Sequence, residues 1–595
     1  MSNDQLRMPN EPALHSTSDI RHSSFTLLVL SLALACTTTT STPTPPQAPP
    51  PPAPPQLTTS HIAQRVILVS FDGLSADRAA SAPAFQRMTA HATRVVPVNP
   101  TLTSATHAAI LTGLPPEKTG IVSNQFHKPG TPPEQITRGL TTDIEGETLV
   151  DAARNAGKRT GCIEFPFLDW LSPRRSCDFG IAYSASMTRS RIVHLRHDDF
   201  HGEWLPPSWG APSPRHTSFS PVMRARIQWG VPNRASEDAD LAAYDTTNDN
   251  VTNYDTFYIE SRSGETRVDA SGWFALSMHL DDGLYGDWSK VLQSDPALQS
   301  VTVYVGPVSH TSAYPASFRD TLDSTLGFLP AAPDELSARD WLAGKDGIDP
   351  ATFSDEVDRL AAFLTNATLY SMSHMQFDLL LSYDPILDQT EHQFAHDIDV
   401  QRETVQRSYA TFDRSVAALT GAIDPIRDAI VITGDHGYAP IDAEVRLDSI
   451  LPAGWRAVVN GGIAHLYRFS GDADVVDTLA NLRAADGAPV FERVERRGPS
   501  SHPNSGDVVA YTVPRFALQN GAGPLFTPTT TLGQHGGLNT HAEFHTTLGA
   551  SGLGITPQRV DVLQQTDVAR FVRELMFGPA IDPSGAPNGA APAPR

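Results

Sequence analysis

Six residues able to bind a divalent cation lie in short motifs scattered along the chain: Asp72 in SFDG, Asp388 and His392 in DQTEH, Asp435 and His436 in GDHG, and His535 in GQHGG. Carboxylate oxygen and imidazole nitrogen in roughly equal number suit zinc, which takes three or four protein ligands and leaves a position open when it is catalytic. Six such residues predict two ions. A spacing of four puts Asp388 and His392 on one face if their segment is helical, whereas adjacent Asp435 and His436 both point inward only from a turn. Thr103 stands where NPTLTS gives way to ATHAAILTGL, a short helical pattern stopped by Gly113. A helix N-terminus favours an anion there, and a hydroxyl bound to a divalent cation becomes an available alkoxide. A plain N-cap threonine would have the same local sequence; the ligand residues are what set Thr103 apart from a cap. Two cations about 4 Å apart can clamp the attacking and leaving oxygens of an in-line displacement at phosphorus.

Those residues must be carried to one place. VILVSFDG (66–73), DLLLSYDP (378–385) and AIVITGDHG (429–437) are short aliphatic runs, each ending in an aspartate and a turn residue. Runs without alternation suit central parallel strands covered on both faces. Val405, Tyr409, Phe412, Val416 and Leu419 repeat at helical spacing before Gly421, and Val568, Phe571, Val572, Leu575 and Met576 do so before Gly578. Strands alternating with helices give an α/β fold, in which ligands sit beyond the carboxyl ends of the strands. The three aspartates should meet at one edge. Between 186 and 345 the pattern changes to alternating or aromatic strands such as DTFYIES, SGWFALSMHL and SVTVYVGPV, which predicts a β-rich insertion covering the site.

The ends of the chain read differently. FTLLVLSLALA (25–35) follows Arg7, Arg21 and His22 and precedes Cys36, the pattern of an export leader rather than a membrane span. Residues 1–36 are therefore expected to be removed or processed, with Cys36 as a lipid anchor, an exported periplasmic or cell-surface location, and no transmembrane helix in the mature chain. Residues 37–60, rich in Thr and Pro, read as a tether. Residues 61–185 and 346–578 form the expected core, and 579–595 a low-complexity tail. Cys162 and Cys177, the remaining pair in an exported chain, predict one disulfide. A net charge of −22 without a Lys/Arg run excludes nucleic-acid binding through a basic patch.

Taken in order, FDG, PTLTSATHAAILTGLPPEKTGIVSN, DQTEH, GDHG and GQHGG resemble the alkaline phosphatase superfamily, and within it the type I phosphodiesterase/nucleotide pyrophosphatase family. The resemblance implies an alkaline phosphatase-like α/β core, with a mostly parallel central sheet flanked by helices, and two zinc ions per chain. It implies that Asp72, Thr103, Asp435 and His436 hold one ion, and Asp388, His392 and His535 the other. Asn124, ending GIVSN, matches the asparagine whose amide binds a phosphoryl oxygen. The expected substrate is a small phosphate diester, cleaved through a phospho-threonine intermediate. Leu102, Thr106 and Gly537 depart from the family's usual Lys, Asn and aromatic residue, so nucleotide preference is not carried over.

Two other readings follow from the same residues. A phosphomonoesterase or phosphonate hydrolase would need an extra cation, for which Arg174 and Arg175 in SPRRSC are candidates. A non-catalytic surface binding protein would have no use for a complete ligand set. His541 and His545, also four apart in NTHAEFH, are expected to be structural because six ligands already fill two sites.

Overall fold

The computed structural model describes residues 56–184, 186–202, 216–529 and 532–579. The leader, Cys36, most of the tether and nearly all of the tail lie outside the described residues.

A nine-stranded sheet forms the centre. Its strands are β1 (Arg65–Phe71), β2 (Ala90–Val96), β3 (Thr160–Ile163), β4 (Phe179–Ile181), β5 (Ala313–Tyr314), β6 (Leu379–Asp384), β7 (Asp428–Gly434), β8 (Thr546–Gly552) and β9 (Gln558–Gln564). They lie in the order β5-β4-β3-β6-β1-β7-β8-β2-β9. From β4 to β7 every pairing is parallel, while β8 runs antiparallel to both β7 and β2. The three aliphatic runs are thus the adjacent strands β6, β1 and β7. Phe71 pairs with Asp384 on one side and Gly434 on the other, so all three strands end at one level.

Alternation within β1 explains why no polar face interrupts these runs. Ile67, Val69 and Phe71 face one hydrophobic cluster, and Val66 and Leu68 face another. The first is closed by helices α3 (Pro350–His374) and α5 (Asp399–Ala422), through Phe353, Leu360, Phe412 and Val416. The second is closed by α1 (Thr103–Thr112) and α6 (Thr566–Phe577), through Ala108, Ile110, Phe571 and Leu575. The helix expected before Gly421 continues one residue past it, to Ala422.

Within the segment from 186 to 345, strands between Arg191 and Val305 form a β-sandwich, whereas Ala313–Tyr314 joins the central sheet as β5. One sheet comprises Met223–Val231, Ala235–Tyr244, Thr256–Ser261 and Gly264–Asp269; the other includes Arg191–Leu195, Gly272–Leu280, Gly283–Ser294 and Val301–Val305. The sandwich docks on the flank of the core. Trp273 Nε1 donates to Asp355 of α3 at 2.9 Å, Lys290 Nζ reaches Thr352 at 2.9 Å, and the Arg359 guanidinium lies 4.2 Å from the ring centres of Trp273 and Trp288. A second β-rich block, inside the second half of the core, also borders the site. There, Trp455–Asn460, Ile463–Arg468, Phe491–Arg496 and Val508–Thr512 form a four-stranded antiparallel sheet. Asn460 Nδ2 donates to Ser123 Oγ at 2.9 Å, and Gly462 N donates to His535 O at 2.9 Å, tying this sheet to both ends of the site.

The disulfide expectation is corrected. Cys162 and Cys177 are both buried and unbridged. Cys162 lies inside β3, and both thiols belong to the apolar cluster beneath that strand, where they pack as small hydrophobes. An even cysteine count does not distinguish such packing from a bridge.

Candidate active site

The three strand ends deliver their aspartates to different tasks. Asp384 accepts from Ile386 N at 3.1 Å and starts the turn into α4 (Ile386–Phe394). Asp72 and Asp435 turn inward. Gly73, at φ +73°, lets the chain after β1 press against α4, where a Cβ would sit 2.8 Å from Asp388 N. Asp388 N in turn donates to Asp72 O at 3.0 Å, so this contact fixes the two motifs together.

Six ligand candidates converge. His436 Nε2 lies 3.1 Å from Asp435 Oδ2 and 3.4 Å from Asp72 Oδ1. Asp388 carboxylate oxygens lie 3.6 Å from His392 Nε2 and 3.6 Å from His535 Nε2, and the His436 and His535 rings stack with centres 3.8 Å apart. Asp388 and His392 share a face of α4, as their spacing requires. Two ligand sets result, Asp72–Asp435–His436 and Asp388–His436–His535, each with donor atoms within 4.8 Å of one another. His392 joins the second through Asp388.

Thr103 is the first residue of α1, not its cap; Leu102 occupies the cap position, without a side-chain capping bond. Its Oγ1 lies 3.5 Å from His436 Nε2, facing the cluster. Asn124 Oδ1 accepts from Ser104 N at 2.9 Å and Ser104 Oγ at 2.5 Å. Its Nδ2 makes no hydrogen bond among the described residues and remains available beside Thr103.

The electrostatics of this cluster call for cations. Asp72, Asp388 and Asp435 are buried together, and no lysine or arginine pairs with them among the described residues. Burial, then the charges of Asp388 and Asp435, push the Asp72 carboxyl well up; burial pushes Asp435 up to about 7, with Asp388 adding to it. Burial and the neighbouring imidazoles push His436 down, and burial brings His535 to about 4. Asp72 Oδ1 has no hydrogen-bond partner although fully buried. Acids that resist ionisation next to imidazoles that resist protonation form the donor set that divalent cations would relieve.

Several supporting residues escape the sequence reading. Tyr383 Oη donates to Asp72 Oδ2 at 2.5 Å, and Tyr438 Oη donates to Asp388 Oδ1 at 2.7 Å. His107 Nδ1 donates to Thr103 O at 2.9 Å, which fixes its tautomer so that Nε2 accepts from Ser70 Oγ at 2.9 Å. The four-residue step from Thr103 to His107 was the available signal; nothing in the sequence pairs the tyrosines with aspartates. Glu335, opening helix α2 (Glu335–Leu342), accepts from Gln393 Nε2 at 3.3 Å and feels the charges of His392 and Asp388. His541 and His545 stay outside the cluster, bonded to Glu492 at 2.8 Å and Asn539 O at 2.8 Å.

The sequence model described as type I phosphodiesterase / nucleotide pyrophosphatase matches residues 66–202 and 287–538, more than half of the chain. The chain belongs to that family. It is therefore a phosphoester hydrolase by kinship. Among solved structures it is similar to murine ectonucleotide pyrophosphatase/phosphodiesterase 5, at 14% identity over 86% of this chain and 95% of that one, with a TM-score of 0.48. The human counterpart is 13% identical over the same shares, with a TM-score of 0.47. Phosphonoacetate hydrolase from Sinorhizobium meliloti 1021, in complex with phosphonoformate, is 16% identical over 88% of this chain and all of that one, with a TM-score of 0.44. No curated protein sequence matches.

Within this phosphodiesterase family the chain's departures have local explanations. Thr106 Oγ1 donates to Asp435 Oδ2 at 3.1 Å, Leu102 packs with Ile463, Tyr511 and Leu538, and a Cβ on Gly537 would meet the Phe544 ring at 2.4 Å. Of the described helices, none is long and apolar enough to cross a membrane.

Proposed function

We propose that the protein is a dinuclear zinc phosphodiesterase acting through Thr103. The observation that carries this reading is the convergence of Asp72, Asp388, His392, Asp435, His436 and His535 around the Thr103 hydroxyl. Asp72, Thr103, Asp435 and His436 would hold one cation, and Asp388, His392 and His535 the other. The cations would supply Lewis acidity, lowering the threonine pKa and offsetting charge on the phosphoryl oxygens. Thr103 attacks phosphorus in line, forming a phospho-threonine ester as the leaving alcohol departs; water then attacks that ester and regenerates the hydroxyl. Asn124 Nδ2 donates to an equatorial oxygen as charge develops, at the positive end of the α1 dipole. His107 holds the Thr103 carbonyl and so fixes the first turn of α1.

Diester preference is supported by the fate of the two candidate cations. Arg174 is committed to Asp151 at 3.0 Å and Arg175 to Asp169 at 2.9 Å, so neither is free to neutralise the additional charge of a monoester. The leader pattern ending at Cys36 supports an exported, lipid-anchored enzyme acting on an extracytoplasmic ester. Rates on bis(p-nitrophenyl) phosphate and p-nitrophenyl phosphate test the class. The diester is expected to be favoured by at least about tenfold in kcat/KM, a difference of about 1.4 kcal/mol in the barrier; a monoester preference would transfer the site to the phosphomonoesterase reading.

A further inference from the structure

The residues that follow β3 and β4 form a wall of the candidate active site. Both strands run parallel to β6 and β1, so they deliver the chain to the sheet edge that carries Asp72 and Asp435. Glu164, the first residue after β3, stands at φ +51°, in the left-handed region that a residue with a side chain enters only when its surroundings hold it there. Here they do: Glu164 N donates to Ile181 O at 2.9 Å, and the Glu164 carboxyl oxygens accept from Ser184 N at 3.2 Å and Ser184 Oγ at 2.9 Å. Tyr183 N donates to Leu168 O at 3.0 Å. The loop after β3 thus grips the chain on both sides of Tyr183 and at Tyr183 itself.

The Tyr183 ring packs edge-on against Tyr383, with centres 5.9 Å apart, and Tyr383 is the donor to Asp72. The hydroxyls of Tyr383 and Tyr438 are consumed by Asp72 and Asp388, whereas that of Tyr183 makes no hydrogen bond among the described residues. Tyr183 is only partly buried, and its hydroxyl is open to solvent. Partial burial, then the charges of Asp72, Glu164, Asp388 and Asp435, raise its pKa, so the phenol keeps its proton. Packing needs only the ring. An O–H presented near Asp72, Asp388 and Asp435 but bonded to none of them fits an acceptor from outside the chain. The anionic oxygens of a phosphoryl group held at those carboxylates by cations are such an acceptor.

We propose that Tyr183 is a substrate-contacting residue whose Oη donates a hydrogen bond to a non-bridging phosphoryl oxygen. The proposal rests on the phosphodiesterase reading above and gives that site a second side-chain donor beside Asn124, carried by a different element. Tyr183 neither gives up its proton nor bonds to phosphorus; it holds charge that develops as Thr103 attacks.

Tyr183→Phe keeps the ring against Tyr383 and breaks no bond within the chain, so its melting temperature and zinc content should match the parent. Its kcat/KM on bis(p-nitrophenyl) phosphate should fall about 10- to 100-fold, the loss of a hydrogen bond to a charged group. Calorimetry should show orthovanadate, a mimic of the pentacoordinate phosphoryl group, bound more weakly by a similar factor. Tyr183→Leu, which loses ring and hydroxyl together, should be at least as impaired. The inference is overturned if Tyr183→Phe hydrolyses the diester and binds orthovanadate within about threefold of the parent, even where Tyr183→Leu is impaired, because the ring would then only pack. It is also overturned if the loss in Tyr183→Phe disappears when zinc is restored. Thr103→Ala assayed alongside separates the two claims. An inactive Thr103→Ala with a parent-like Tyr183→Phe overturns the contact and leaves the phosphodiesterase reading standing, whereas a parent-like Thr103→Ala overturns both.

Discussion

Replacing Asn124 by alanine removes a donor that is presented but not consumed by the fold. Ser104 engages Oδ1 twice, through N at 2.9 Å and Oγ at 2.5 Å, which orients the carboxamide and leaves Nδ2 free to donate. Loss of one oxyanion donor of this kind costs about 3–4 kcal/mol of transition-state stabilisation, so kcat should fall about 100- to 1,000-fold. Ser104→Ala keeps the backbone contact and loses only the hydroxyl, a cost of about 1 kcal/mol, or roughly fivefold. Because Ser104 acts through Asn124, the double variant should be no slower than Asn124→Ala alone. The assay is steady-state hydrolysis of bis(p-nitrophenyl) phosphate, with bound metal and melting temperature measured in parallel. An Asn124→Ala rate within about tenfold of the parent, at unchanged metal content, would refute the donor role, and additive losses would refute the clamp.

Thr103→Ala should abolish diester hydrolysis by at least about 1,000-fold, since it removes the attacking hydroxyl; residual activity within a few-fold of the parent would show a different nucleophile. Tyr383→Phe deletes the 2.5 Å bond to Asp72 without changing shape, and should weaken zinc binding about 10- to 100-fold in competition with a chelator. The zinc-induced rise in melting temperature should grow from pH 5.5 to about 7.5 and then level off. Its sign follows from Asp435, whose carboxyl is raised to about 7 in the metal-free fold and must lose its proton to bind zinc, while His535, near 4, stays neutral throughout. A thermal shift independent of pH would contradict that assignment.

The central strands and their site were legible because their signals are local and redundant. The runs before Asp72, Asp384 and Asp435 lack alternation, as strands covered on both faces must, and they pair side by side as β1, β6 and β7. The step from Asp388 to His392 is meaningful only on a helix, and α4 is one. What was not legible depends on contacts distant in sequence. Tyr383 and Tyr438 look like ordinary core aromatics until the fold sets their hydroxyls against carboxylates. The second β-rich block was hidden because its sheet is made by pairings distant in sequence, such as Ile463–Arg468 against Val508–Thr512. Asp384 shows the converse: its motif matches its neighbours, but its side chain is used by the turn it begins.

The most direct test is to count metal and activity together. Protein purified without added chelator, analysed by elemental mass spectrometry, should hold two zinc ions per chain; removing them should abolish diester hydrolysis, and re-adding zinc should restore it. Fewer than one ion per chain in a fully active preparation would contradict the dinuclear site.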